Sequence, residues 1–176
     1  MLNIITKKPA GLAAFIVQII VTSILSFIIA ALFHAAYDFL GRNDFASFLF
    51  PVNESVWEHL KLCFYPLVLV WLIILKRQYT IHELTAGIAI SSLICIVTVL
   101  FGYYGFHYGF LAEGLMIDLL LLLIGNLLGN SIAFYLLKDH TFYNFRFIFA
   151  LYLIGLAILF VYTTLRPPDL PVFISS

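Results

Sequence analysis

Charge is scarce in this sequence: 10% of its 176 residues are charged, and nine basic residues are balanced by nine acidic ones. Soluble domains carry about 25% charged residues, so a water-soluble globule is excluded for lack of polar surface. The 64% hydrophobic content excludes a disordered chain, which needs low hydrophobicity and high net charge. Because no stripe of basic residues is present, we expect no binding to nucleic acid.

Cysteine and the common catalytic motifs are also scarce. The two cysteines, Cys63 and Cys95, both lie in apolar stretches, and we interpret them as buried free thiols that act as small hydrophobes. The chain contains no Gly-x-Ser-x-Gly nucleophile motif and no Gly-rich nucleotide loop. Serine hydrolase and nucleotide-binding chemistry are therefore not supported.

Long apolar runs dominate what is present. Five stretches reach the roughly 20 residues that a membrane-spanning helix needs, namely 11–37, 53–75, 81–104, 111–137 and 145–165. They predict an all-α, polytopic transmembrane helix bundle, with residues 1–176 as a single multi-pass domain that contacts membrane lipids. Six Lys and Arg residues fall on the side of the N-terminus and three on the other side, which predicts N-inside and C-outside. The six are Lys7, Lys8, Lys76, Arg77, Lys138 and Arg146, and the three are Arg42, Lys61 and Arg166.

With this topology, ionisable residues gather at the outer ends of four spans. Ionisable groups inside a membrane are costly and usually face a bundle interior or a watery cavity, so this asymmetry is the main functional signal. His34 and Asp38 share one helix face at a spacing of four residues. The other residues of this group are Asn53, Glu54, Trp57, Glu58, His59, Lys61, His107 and Asp118.

A purely structural interpretation accounts for part of this group. Asn53 is a good N-cap, and Ser55-x-x-Glu58 matches a capping box. Thr80-x-x-Glu83 shows the same pattern at the opposite side, where no site is expected. His34 also fits an interfacial histidine bonded to a neighbouring helix, and His107 also fits a solvated loop residue. Gly125-x-x-x-Gly129 predicts a helix contact face, for self-association or for a partner, with Asp118 above it.

Two segments carry a resemblance to known proteins. Phe50-Pro51-Val52-Asn53-Glu54-Ser55-Val56-Trp57-Glu58-His59-Leu60-Lys61 and the preceding Phe33-His34-Ala35-Ala36-Tyr37-Asp38 resemble a family of small, uncharacterised bacterial integral membrane proteins. The resemblance implies a protein of the bacterial cytoplasmic membrane and no particular activity. The layout is also similar to that of the seven-helix ceramidase and adiponectin-receptor hydrolases, which gather His and Asp around zinc. This chain differs in having five spans and no His-x-x-x-His pair.

Three functions remain open from the sequence. The first is a metal-dependent hydrolase or transferase acting on a lipid or amphiphile, with zinc as the expected metal. The second is a small-solute or proton-coupled transporter or binding subunit, with Asp118 and Glu54 as protonation sites. The third is a structural membrane partner protein. For the first we predict His34, His59 and His107 as metal ligands, Glu54, Glu58 and Asp118 as catalytic groups, and Asp38, Asn53, Trp57 and Lys61 as substrate-binding groups.

Overall fold

The computed structural model describes residues 11–111, 114–138 and 144–174, and all of their regular secondary structure is helical. Five helices are long and apolar enough to cross a membrane, which confirms the predicted number of candidate spans. The helices are α1 (Leu12–Phe39), α2 (Asp44–Leu49), α3 (Val56–Val70), α4 (Ile81–Tyr104), α5 (Leu115–Leu136) and α6 (Arg146–Leu165). A π-helical turn extends α3 over Trp71–Leu75 and another extends α4 over Gly105–Gly109, and a 3-10 turn covers Pro171–Phe173.

Helix boundaries follow local chemistry. The predicted capping box at Thr80 and Glu83 is present in full at the start of α4. The short helix α2 was not predicted; it begins where the Asn43 side chain accepts a hydrogen bond from the backbone N–H of Ala46. Helix α5 begins at Leu115 rather than at residue 111, after Gly114 with a φ of 139°, a backbone conformation that favours glycine. The described ranges leave out residues 112 and 113 and residues 139–143. They also leave out Lys7 and Lys8, two of the residues from which the orientation is predicted.

The five long helices differ in how much of each is buried. Helices α3 and α4 are the most buried, whereas α1 and α6 expose most of their surface. Along α1 the exposed residues Ile16, Ile20, Ile24 and Ile28 recur every four positions. Such an apolar outer stripe is typical of helices that face lipid rather than water.

Close packing of α4 against α5 depends on the predicted small-residue face. An added Cβ at Gly125 would lie 3.0 Å from Cys95 Sγ, and one at Gly129 would lie 2.4 Å from the carbonyl oxygen of Ser91. The two helices therefore approach at backbone distance, as small-x-x-x-small faces allow. This face is occupied within the chain itself, and its use in self-association stays a prediction.

A buried polar network joins three helices. The Asn130 side chain accepts a hydrogen bond from Trp71 Nε1 (3.0 Å) and donates one to Ser23 Oγ (3.1 Å). Ser23 Oγ in turn donates to the backbone carbonyl of Asn126 at 3.1 Å. The side chains of Ser23, Asn126 and Asn130 are fully buried, so these bonds fix the mutual rotation of α1, α3 and α5 where a mismatch would be costly.

Candidate metal site

One end of the helix bundle contains a cavity of about 250 Å³. The end of α1, the start of α3, the end of α4 and the start of α5 meet there, as the predicted antiparallel threading requires. The lining residues are His34, Glu54, Val56, His59, Leu62, Cys63, Val99, Tyr103, Leu115, Asp118, Leu119 and Leu122. Four of the predicted site residues, His34, Glu54, His59 and Asp118, are thus brought to one cavity.

A turn before α3 places Glu54 beside the two histidines. Asn53 Oδ1 accepts a hydrogen bond from the backbone N–H of Ser55 at 2.9 Å, and Ser55 Oγ then caps α3 by accepting from the N–H of Glu58 at 3.3 Å. Asn53 therefore shapes the turn, while Ser55 is the N-cap. His59 follows one helical turn after Ser55, on the side of α3 that faces the end of α1.

Three side-chain atoms converge at the polar end of the cavity. His34 Nε2 lies 3.1 Å from His59 Nε2, His59 Nε2 lies 3.3 Å from Glu54 Oε2, and His34 Nε2 lies 3.6 Å from Glu54 Oε2. The side chains of His34 and Glu54 are 38% and 63% exposed, and that of His59 is 28% exposed. The cluster is therefore reachable from outside the bundle.

The hydrogen bonding of His59 determines which of its nitrogens is available. His59 Nδ1 lies 2.9 Å from the carbonyl oxygen of Ser55, and a carbonyl can only accept, so Nδ1 carries a hydrogen. In the neutral imidazole Nε2 then presents its lone pair to Glu54 and His34. Two lone-pair atoms at 3.3 Å repel each other unless a positive charge lies between them. The ring N–H of His34, donated from Nε2 to His59 Nε2, can supply that charge, and so can a bound cation.

The spacing of these atoms suits a small tetrahedral metal ion. Zinc binds His nitrogen and carboxylate oxygen at about 2.0–2.2 Å, so its ligands stand roughly 3.3 Å apart. The three measured separations are 3.1, 3.3 and 3.6 Å. Two histidines and one glutamate form one of the ligand sets of catalytic zinc, in which a fourth position stays open. The bond from His59 Nδ1 to a carbonyl is the supporting interaction that zinc-bound histidines usually make.

Asp118 lies in the wall of the same cavity, in the first turn of α5. It is not part of the three-atom cluster, but it shares the cavity with His59. A carboxylate so placed can accept a proton from a water molecule or return one to a leaving group.

Glu58 and Lys61, predicted as a catalytic group and a substrate-binding group, form a buried ion pair instead of lining the cavity. Lys61 Nζ lies 2.7 Å from Glu58 Oε2 and donates to the backbone carbonyls of Ser47 (2.8 Å) and Phe50 (3.3 Å). Glu58 also accepts hydrogen bonds from the N–H of Val52 and the hydroxyl of Thr164. The pair therefore ties the segment around α2 to α3 and α6, and the predicted functional roles stay predictions.

The remaining predicted residues have separate surroundings. Trp57 Nε1 donates to Thr163 Oγ1 at 2.7 Å, and its ring packs on Phe173. Asp38 accepts a hydrogen bond from Arg42 Nε at 2.7 Å on the surface, and this bond raises the pKa of the Arg42 guanidinium. His107 lies in the π-helical turn after α4 and stacks on Tyr103. None of the three is among the residues that line the described cavity.

Sequence reasoning did not identify the apolar wall of the cavity. Val56, Leu62 and Val99 look like any other lipid-facing or core residue in a hydrophobic run. Helical spacing could have placed further lining residues, since Leu62 and Cys63 follow His59 by three and four positions and Leu122 follows Asp118 by four. Cys63 and Cys95 are both buried and free, as interpreted from the sequence.

Comparison with known proteins gives one match. The model of a family described as "Family of unknown function (DUF6512)" matches residues 11–176. No curated protein and no solved structure matches the chain.

Proposed function

This chain belongs to the family of unknown function DUF6512, and we propose that it is a multi-pass membrane protein that binds a divalent transition metal, with zinc as the first candidate, and hydrolyses or transfers a group of a lipid or amphiphile. His34, His59 and Glu54 are the proposed ligands. The observation that carries the proposal is the convergence of three ligand atoms around a histidine whose Nδ1 is held by a backbone carbonyl.

The membrane setting is supported by the five apolar helices and by the distribution of charge. Lys76, Arg77, Lys138 and Arg146 lie at the end of the bundle opposite the cavity, which by the positive-inside rule faces the cytoplasm. In this orientation the metal site opens to the outer side of the bacterial cytoplasmic membrane. Glu54, predicted first as a catalytic base, is here assigned as a ligand because its carboxylate lies against both imidazoles.

The proposed chemistry divides between the ion and Asp118. When bound, the ion polarises a carbonyl or phosphoryl oxygen and lowers the pKa of a bound water. Asp118, in the wall of the same cavity, would accept a proton from the attacking water and pass it to the leaving group. Glu58, with Lys61 at 2.7 Å and two further hydrogen bonds, is less suited to this role.

The test is the metal content of the purified protein, with variants matched by residue type. We expect about one zinc ion per chain after expression in metal-replete medium and purification without chelators. His34→Ala and His59→Ala are expected to lose it, because two ligands do not retain the ion against dialysis. His107→Ala is the matched control, since His107 lies near the same end of the bundle but outside the cluster, and it is expected to keep the metal. Absence of metal in the unmodified protein, or its retention in both cluster variants, would refute the proposal.

A transporter or proton-binding subunit is the second candidate, favoured by one observation. Buried polar residues lie inside the bundle along α1 and α5: Gln18, Thr22, Ser23, Ser26, Asn126 and Asn130. Among the described residues, Ser26 Oγ and Asn126 Oδ1 have no hydrogen-bond partner, which suits a path for water or protons. Proton uptake into liposomes that Asp118→Asn abolishes, in a protein that binds no metal, would favour this candidate.

A further inference from the structure

We propose that the cavity binds the hydrocarbon chain of a single-chain acyl amphiphile of about eight carbons, with the acyl carbonyl at His34, Glu54 and His59. This inference rests on the proposed function and deepens it by naming the substrate class. It follows from the way the cavity wall is divided, from the volume of the cavity, and from the place where its wall meets the surface.

The cavity wall is polar at one end and apolar over the rest. The polar end is formed by the His34–Glu54–His59 cluster, and Asp118 and Tyr103 are the other polar side chains of the wall. The remaining wall is mainly aliphatic and comes from three helices, with Val56 and Leu62 from α3, Val99 from α4, and Leu115, Leu119 and Leu122 from α5. A ligand that matches this wall has one polar reactive group and an apolar remainder, which is the chemistry of an acyl chain.

The volume limits the length and the number of chains. An engineered protein cavity of about 150 Å³, lined by Leu, Ile and Phe side chains, binds benzene, which has six carbon atoms. On this measure, the cavity of about 250 Å³ accommodates on the order of eight to ten carbon atoms. Two long chains, as in a diacyl phospholipid, do not fit, so the cavity selects a single chain.

The wall of the cavity extends to the surface of the bundle at the start of α5. Leu115 lines the cavity and is 64% exposed. An apolar, exposed residue at the rim lets a hydrocarbon chain enter from the lipid without crossing water. The polar head of the amphiphile then stays near Glu54, which is itself 63% exposed.

The reaction at this position is acyl transfer to water. The water oxygen forms a bond to the acyl carbon, and the bond from that carbon to the leaving oxygen or nitrogen breaks. One water proton passes to Asp118 and then to the leaving group, and the other stays with the released carboxylic acid. The substrate is therefore an ester or an amide of a medium-length fatty acid.

The test uses n-alkyl hydroxamic acids of 2 to 14 carbons, which present a metal-binding group on an alkyl chain. Binding to Co²⁺-loaded protein is followed through the visible absorption of the ion, so that no enzymatic activity is needed. We expect the Kd to fall about fourfold for each added methylene up to about eight carbons and then to level off. Leu119→Trp reduces the volume of the cavity by about that of two methylene groups. The Kd of this variant is therefore expected to level off at a chain about two carbons shorter.

Leu120→Trp is the matched control, because Leu120 is the neighbouring residue on the exposed face of α5 and does not line the cavity. Partition of the longer chains into detergent is the same for both variants. The ratio of their Kd values at each length therefore reports only the contribution of the cavity to binding. Unbroken tightening to 14 carbons in the unmodified protein, or a Kd independent of length, would overturn this inference and leave the metal site standing. Failure of Co²⁺ to bind would overturn the proposed function and, with it, the inference.

Discussion

Adding one methyl group at Gly129 probes the contact that holds α4 and α5 together. In Gly129→Ala the new Cβ would lie 2.4 Å from the carbonyl oxygen of Ser91, about 1 Å closer than an ordinary van der Waals contact. The obstacle is helix backbone and not the end of a flexible side chain, so the two helices must move apart. Such overpacking typically costs about 1–3 kcal/mol of unfolding free energy.

Gly155→Ala provides the matched control. Gly155 also lies inside a long helix, but an added Cβ there meets nothing within 4 Å. Both substitutions gain the intrinsic helix preference of alanine over glycine, worth up to about 1 kcal/mol. The difference in stability between the two variants therefore isolates the packing term, and we expect Gly129→Ala to be the less stable by about 1–3 kcal/mol.

Unfolding in mixed detergent and SDS micelles, followed by circular dichroism, measures both variants against the unmodified protein. Equal stability of Gly129→Ala and Gly155→Ala would refute the reasoning, because it would mean that α4 and α5 do not approach at backbone distance. Size-exclusion chromatography with light scattering adds a second readout. A change of oligomeric state in Gly129→Ala with unchanged stability would show that the face serves association between chains.

Three further predictions concern interactions away from the metal cluster. Lys61→Met should destabilise the protein by about 3–5 kcal/mol because it leaves the buried Glu58 carboxylate without its cationic partner. The double variant Lys61→Met with Glu58→Gln should recover most of this loss in the same SDS titration. A single variant as stable as the unmodified protein would contradict the ion pair. Asn130→Ala should cost about 1–3 kcal/mol because it leaves Trp71 Nε1 without its acceptor, and unchanged unfolding would disprove the network. Burial raises the pKa of Tyr79 to about 12, above the value of about 10 in an unfolded chain. The contribution of the neutral Tyr79 side chain to stability is therefore complete below pH 10 and is lost as the pH rises from 10 to 12. Tyr79→Phe should lose less stability than the unmodified protein over that interval.

The sequence by itself determined the helices and the end of the bundle at which the polar groups gather. Long apolar runs predict five helices because backbone groups in a bilayer must bond within their own segment, and five such helices are present. The end-to-end threading of these helices brings four of the ten predicted site residues, His34, Glu54, His59 and Asp118, to one cavity. The sequence also predicted the capping box at Thr80 and the close helix contact at Gly125 and Gly129, because both depend on residue spacing within one helix.

Only the tertiary structure decided which of the gathered polar groups converge on one point. Glu54 and Glu58 stand four residues apart, a spacing that predicts a shared helix face, yet Glu54 precedes α3 and lies against two imidazoles while Glu58 is paired with Lys61. That choice depends on the turn at Asn53 and on contacts with α2 and α6, which are distant in sequence. The apolar wall of the cavity was equally hidden, since side chains that line a cavity and side chains that face lipid have the same chemistry. The rotation of its helix decides whether a leucine lines the cavity or faces lipid, and packing against the neighbouring helices sets that rotation.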